Sequence, residues 1–294
     1  MSLKLSRYVV MLVILVGATK AYLNGLKRRI AKAKILTTIK SLLLSEIILM
    51  LMKSKYMDEN AKKKFLEVKG LFNRMSHEIS AVIESYHIWR TLTFSRSIPE
   101  VGKEQAEKNA ALLSLYKDFF IPTEQSHLQT FVIGLMKFFD RHSQALSIAG
   151  LIRELEKNKS IFTADVVRST FKDPGGYDPI KDDYEPITQE IKDKIEELRK
   201  PHETLIANLK DIRDKQFAHA DMETINGTFV PNEVEALIVA VQEMFNTLSG
   251  NFDSSSTIWN HLKDESIRST QFVFENLNRG EIQRKEEMRK MYGV

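Results

Sequence analysis

The sequence has no cysteine, and its 294 residues include only 7 prolines and 12 glycines. The missing cysteine excludes disulfide scaffolds, zinc ribbons, iron–sulfur sites and cysteine nucleophiles together, and fits a reducing compartment. The scarce Gly and Pro exclude a collagen, a low-complexity chain and a strand-and-turn protein. Charged residues make up 28% of the chain, too many for a polytopic membrane protein. Several catalytic motifs are also missing. There is no Gly-rich phosphate loop, no GxSxG elbow and no HExxH, since His77-Glu78 has no second His. His77, His87, His127, His142 and His261 stand alone without ligand spacing, and His202 lies on an apolar stripe as a core histidine would. Asp182, Asp183 and Glu185 share a Pro-rich loop and read as solvated acids. No metal and no cofactor is therefore expected.

What is present begins with a charge asymmetry. Residues 1–56 hold eleven Lys/Arg against the single acid Glu46, leaving 32 basic and 38 acidic groups for the rest. The overall excess of +4 thus belongs to the N-terminal segment, and the body has no duplex-binding basic face. In that segment an uncharged run, 8–19, is followed by Lys20 and by Lys27, Arg28 and Arg29. A spanning helix needs about twenty apolar residues, so this run crosses a bilayer only if Lys20 snorkels. A second apolar stretch, 35–52, is broken by Lys40 and Glu46 and reads as an amphipathic or buried helix. Residues 1–57 are accordingly expected to be either a helical extension packed on the body or a basic membrane-surface anchor. A secretory signal, suggested by Gly17 and Ala18, is the third reading.

From Asp58, a candidate N-cap, apolar residues recur at Phe65, Val68, Phe72, Met75, Ile79, Val82, Tyr86 and Trp89. Steps of three and four describe one face of a long helix. Further helices are expected over 103–120, from Pro122 through Phe139, and over 143–155. Residues 172–186, with three prolines and a Gly pair, form a loop. Thr188 then caps a stripe through Ile191, Ile195, Leu198, Leu205, Leu209 and Ile212, and Pro201 is expected to kink it. A helix from Pro231, a linker-like run at 253–256 and a charged helical tail complete the chain. The expected architecture is an all-α, up-and-down helical bundle. Its divisions are a basic extension (1–57), a helical domain (58–252) and a helical tail (253–294).

One stretch carries chemistry. In IRDKQFAHAD, at the end of the most regular stripe, Arg213 and His219 lie about 120° apart around a helix and about 9 Å along it. Both border the inner face, and a loosened helix would bring them closer; Asp214 would point away from the core. Arg and His suffice for metal-free RNA cleavage. An imidazole titrates where it can take the 2′-hydroxyl proton. A guanidinium can donate paired hydrogen bonds to the charge that builds on the phosphoryl oxygens. The adjacent Asp214 could orient the Arg. On spacing alone, the reading as surface charges and a helix-terminal cation is the stronger one, because Arg and His six residues apart occur often by chance.

Arg-Asp-x-x-x-Ala-His resembles the Arg-polar-x(3–5)-His signature of the HEPN superfamily. Phe119-Phe120, Leu135-Met136-Lys137-Phe138-Phe139-Asp140, Leu146-Ser147-Ile148 with Leu151-Ile152, and IRDKQFAHAD with Asp221 together resemble the AbiU-type HEPN proteins of abortive-infection systems. The resemblance covers about residues 58–252. It implies a helical bundle that dimerises with two motif copies facing one cleft, and a metal-independent endoribonuclease acting in the cytoplasm as a toxin or phage-defence effector. By the same resemblance Arg213 and His219 match the catalytic pair, Asp214 the polar residue after the Arg, and Asp140 a supporting acid after an aromatic pair. RNA, a second copy of the chain and an antitoxin or defence partner are the implied partners; membrane-surface contact through 1–57 is expected from the charge of that segment alone, which the resemblance leaves unmatched. The alternative is a non-catalytic dimeric interaction module.

Overall fold

Helix α1 (Arg29–Phe94) contains no proline and a single glycine, Gly70, so nothing in its 66 residues interrupts the hydrogen-bond ladder. The computed structural model describes residues 29–171, 180, 182–218 and 228–293. The run 8–19 lies outside them. Asp58, expected to cap a helix, lies inside α1 instead, because no Gly or Pro precedes it closely enough to end the helix there. Two compact units divide the chain, 1–59 and 60–294. Of the first, the described part is helical backbone. Among the described residues, no helix is long and apolar enough to cross a membrane.

The second unit is an all-α bundle with no strand among its described residues. It continues with α2 (Ile98–Val101), α3 (Lys103–Leu115), α4 (Lys117–Phe138), α5 (Ile148–Asn158) and α6 (Ala164–Arg168). Next come α7 (Gln189–Arg199), α8 (Glu203–Ile212), α9 (Pro231–Asp253) and α10 (Asn260–Tyr292). Side-chain caps fix three starts: Ser147, Thr163 and Thr188 accept the backbone N–H of Gly150, Val166 and Ile191. Pro231 opens α9 at a position whose N–H would be unpaired anyway. Pro201 does not simply kink its stripe; a 3₁₀ turn, Lys200–His202, separates α7 from α8.

The contacts of α1 give the topology. Phe65, Phe72 and Tyr86 meet Phe252, Phe245 and the Pro231 carbonyl, so α9 runs antiparallel to α1. Glu78, Tyr86 and Thr93 meet Lys137, Phe131 and Glu124, so α4 is antiparallel to it as well. The stripe Phe65, Val68, Phe72, Met75, Ile79, Val82, Tyr86 and Trp89 is no more than 8% exposed and forms the spine of the main core. A smaller cluster of Leu92, Leu112, Leu113, Phe120 and Phe274 ties α3, α4 and α10 together. The break expected at Pro122 falls at Tyr116, and Pro122 lies inside α4. Tyr116 packs against the small cluster and its hydroxyl donates to Glu281 at 2.7 Å, a tertiary anchor that outweighs the local proline signal.

Candidate active site

Helix α8 buries Leu205, Leu209 and Ile212 and does not end cleanly. Residues Arg213–Ala218 continue as a π-helical turn. A π-turn widens the ladder to i→i+5 bonds and often occurs at functional sites. The step of 100° per residue therefore fails after Ile212, and the wheel estimate for Arg213 and His219 does not apply. His219 lies outside the described residues.

Arg213 is one-quarter exposed and Asp214 under one-half. Rather than facing away, Asp214 turns back along the chain: its Oδ1 accepts from Arg213 Nε at 2.7 Å and lies 2.5 Å from Nη2. A pair this exposed is worth at most about 1 kcal/mol, so its main consequence is to fix the guanidinium's direction. That guanidinium lines an open pocket of about 530 Å³. Asp140 lines the same pocket from the end of α4, so three of the four sequence-identified residues come within one region. Asp140 has a specific job in the backbone. Its Oδ1 accepts the His142 N–H at 2.8 Å and holds the turn that leaves α4.

The pocket also recruits cations that motif reading missed: Arg141, Arg199 and Lys210. Lys210 precedes Arg213 by three residues and so shares its helix face, a signal available in the sequence. Arg141 adjoins Asp140 in sequence, but only the fold brings it to Arg213. Arg199 is neutralised locally, with Nε and Nη2 on Glu196 at 2.9 and 2.5 Å and Nη2 on Glu203 at 2.7 Å. These bonds raise the Arg199 pKa and hold the Glu196 carboxyl below its usual range. The floor is apolar, with Phe139, Ile148, Ile152, Ile195, Ile206 and Met244. A cationic rim over an apolar floor suits a phosphate-bearing ligand with a planar apolar part.

Elsewhere, Asp182 pairs with Arg168 at 2.7 Å and Glu185 with Lys159 at 2.7 Å, as solvent-facing ion pairs. No group of three potential metal ligands occurs among the described residues. His202 is half-buried at the start of α8, not in the core. Among the described residues, the fully buried histidine is His87, 3% exposed.

A family model described as AbiU2 (HEPN_AbiU2) matches residues 65–273. No curated protein and no solved structure matches the chain.

Proposed function

Because the chain belongs to the AbiU2 family of HEPN domains, we propose that it is a metal-independent endoribonuclease acting as a toxin or phage-defence effector. The supporting observation is the Arg213 guanidinium, turned by Asp214 and lying at the rim of an open pocket with further cations. In the proposed reaction His219 removes the proton from a ribose 2′-hydroxyl, and the oxygen attacks the adjacent phosphorus. The P–O5′ bond breaks, and the leaving oxygen takes a proton from the imidazolium of the same or a second copy. Arg213 donates hydrogen bonds to the phosphoryl oxygens as their charge increases. The products are a 2′,3′-cyclic phosphate and a 5′-hydroxyl. A homodimer with two motif copies on one cleft, in the cytoplasm, completes the proposal. Wild-type protein is expected to cleave RNA in chelator, and Arg213→Ala and His219→Ala to abolish it. Cleavage that persists in both variants contradicts the assignment.

The rival is a non-catalytic interaction module. It is favoured by Leu115, Phe119 and Ile121, each more than half exposed in one short stretch. On that reading both alanine variants keep their cellular effect and RNA stays intact. Contact of residues 1–57 with a membrane surface is a compatible proposal. Fractionation of the full chain against one beginning at Asp58 tests it, and an unchanged distribution rejects it.

A further inference from the structure

The cations of the Arg213 pocket differ in whether a carboxylate already balances them. Arg199 is held by Glu196 and Glu203, and Arg213 by Asp214. Arg141 and Lys210 form no hydrogen bond or ion pair among the described residues, and both are exposed. Of the pocket's two carboxylates, Asp140 accepts the His142 N–H, and Glu196 binds Arg199 directly while feeling Arg141 only at longer range. Arg141 and Lys210 are thus the two cations beside Arg213 that no carboxylate holds in direct contact among the described residues.

Both are presented from fixed backbone. Lys210 lies on α8, three residues and about 4.5 Å of helix rise before Arg213. Arg141 lies in the loop between α4 and α5, which is tied at three points. Asp140 accepts the His142 N–H, Arg153 Nη2 donates to the His142 carbonyl at 2.9 Å, and the Gln144 N–H donates to His142 Nδ1 at 3.3 Å. A loop braced in this way carries its cation at a defined place, so less ordering is needed when an anion arrives. Beneath them lies the apolar floor of Phe139, Ile152 and Ile206, whose side chains suit a planar nucleobase and offer a phosphate no donor.

We propose that Arg141 and Lys210 form an ancillary phosphate subsite that grips RNA phosphates flanking the one Arg213 addresses, with the intervening base on the apolar floor. The proposal rests on the ribonuclease reading for its ligand, and it assigns Arg141 and Lys210 to substrate positioning, not to bond breaking. Asp140 acts through the loop that presents Arg141. Phosphate contacts of this kind set register and affinity and carry no sequence information by themselves.

The test is salt-dependent binding of a short fluorescein-labelled single-stranded oligoribonucleotide, followed by anisotropy in EDTA. The full chain carries His219→Ala so that the RNA stays intact. Removing one cation from a phosphate lowers the slope of log affinity against log salt by about 0.7 for a single strand. Arg141→Ala and Lys210→Ala are each expected to lower it by that amount, and the double variant by about 1.4. Arg268→Ala, which removes an exposed cation from α10, leaves it unchanged. In cleavage assays without the His219 change, the double variant raises KM far more than it lowers kcat, whereas Arg213→Ala lowers kcat. Unaltered slopes in folded Arg141 and Lys210 variants overturn the subsite while leaving the nuclease reading intact. Lowered slopes in a protein that never cleaves RNA retain the subsite and remove the nuclease. Absence of RNA binding removes both.

Discussion

Gly134 lies in α4 against α1, at the interface that supports the wall bearing Phe138, Phe139 and Asp140. A Cβ added there would stand 2.4 Å from Val82 Cγ2. Carbon atoms attract best at about 3.5–4.0 Å, so one side must move by more than about 1 Å. Val82 is only 2% exposed, and a β-branched side chain in a helix has essentially one χ1 rotamer, so it cannot swing aside. In an open helix, Gly→Ala would stabilise by about 1 kcal/mol. Overpacking of this kind costs about 1–3 kcal/mol, so Gly134→Ala is expected to destabilise by a net ~1 kcal/mol or more. Val82→Ala alone loses about 2 kcal/mol through two buried carbons and the space they leave. It also removes the carbon that the new methyl group on α4 would strike, so the double variant should be more stable than the sum of the single effects implies, by about 1 kcal/mol or more. Urea unfolding of the full chain followed by circular dichroism measures all three. A Gly134→Ala protein as stable as wild type, or strictly additive effects, would refute this account of the α1–α4 contact.

Two further outcomes are expected. Burial pushes the His87 pKa down to about 4, against attraction from Glu235 and Asp264 and with repulsion from Lys263 and Arg90, and its Nδ1 has no hydrogen-bond partner among the described residues. The unfolded chain then binds a proton near pH 6.5 that the folded chain refuses until about pH 4, so this stability is present above pH 6.5 and lost as pH falls through that window. The loss at this site is on the order of 3 kcal/mol, and His87→Gln should flatten that part of an unfolding curve measured against pH; an unchanged slope contradicts it. Asp214→Ala should leave thermal stability nearly unaltered, since the pair contributes at most about 1 kcal/mol, while kcat for RNA falls because the guanidinium loses its orienting acceptor. Unaffected turnover would remove Asp214 from the site.

The bundle was legible wherever the information is local. The three–four spacing from Phe65 to Trp89 identified the buried spine, and Thr188 and Pro231 marked helix starts that the structure retains. Tyr116 was not legible as a helix boundary because its anchor, Glu281, is far away in sequence. Ser147 shows the same limit more mildly. Its cap moves the start of α5 to Ile148, past the expected 143, because the preceding loop is held by Asp140 and Arg153. At the candidate site, Arg213 and Asp214 could be picked out from the Arg-Asp-x-x-x-Ala-His spacing, and Asp140 from the family resemblance. The π-turn could not, since no residue type in RDKQFA demands one. Arg141 and Lys210 escaped notice for another reason: an exposed cation acquires significance only when its neighbours' carboxylates are seen to be committed elsewhere.

End-group analysis of RNA cleaved by the full-length protein in EDTA tests the central claim most directly. Fragments should end in 2′,3′-cyclic phosphate and begin with 5′-hydroxyl, and neither terminus should form with Arg213→Ala or His219→Ala. Intact RNA with wild-type protein, or the same termini from both folded variants, would contradict it.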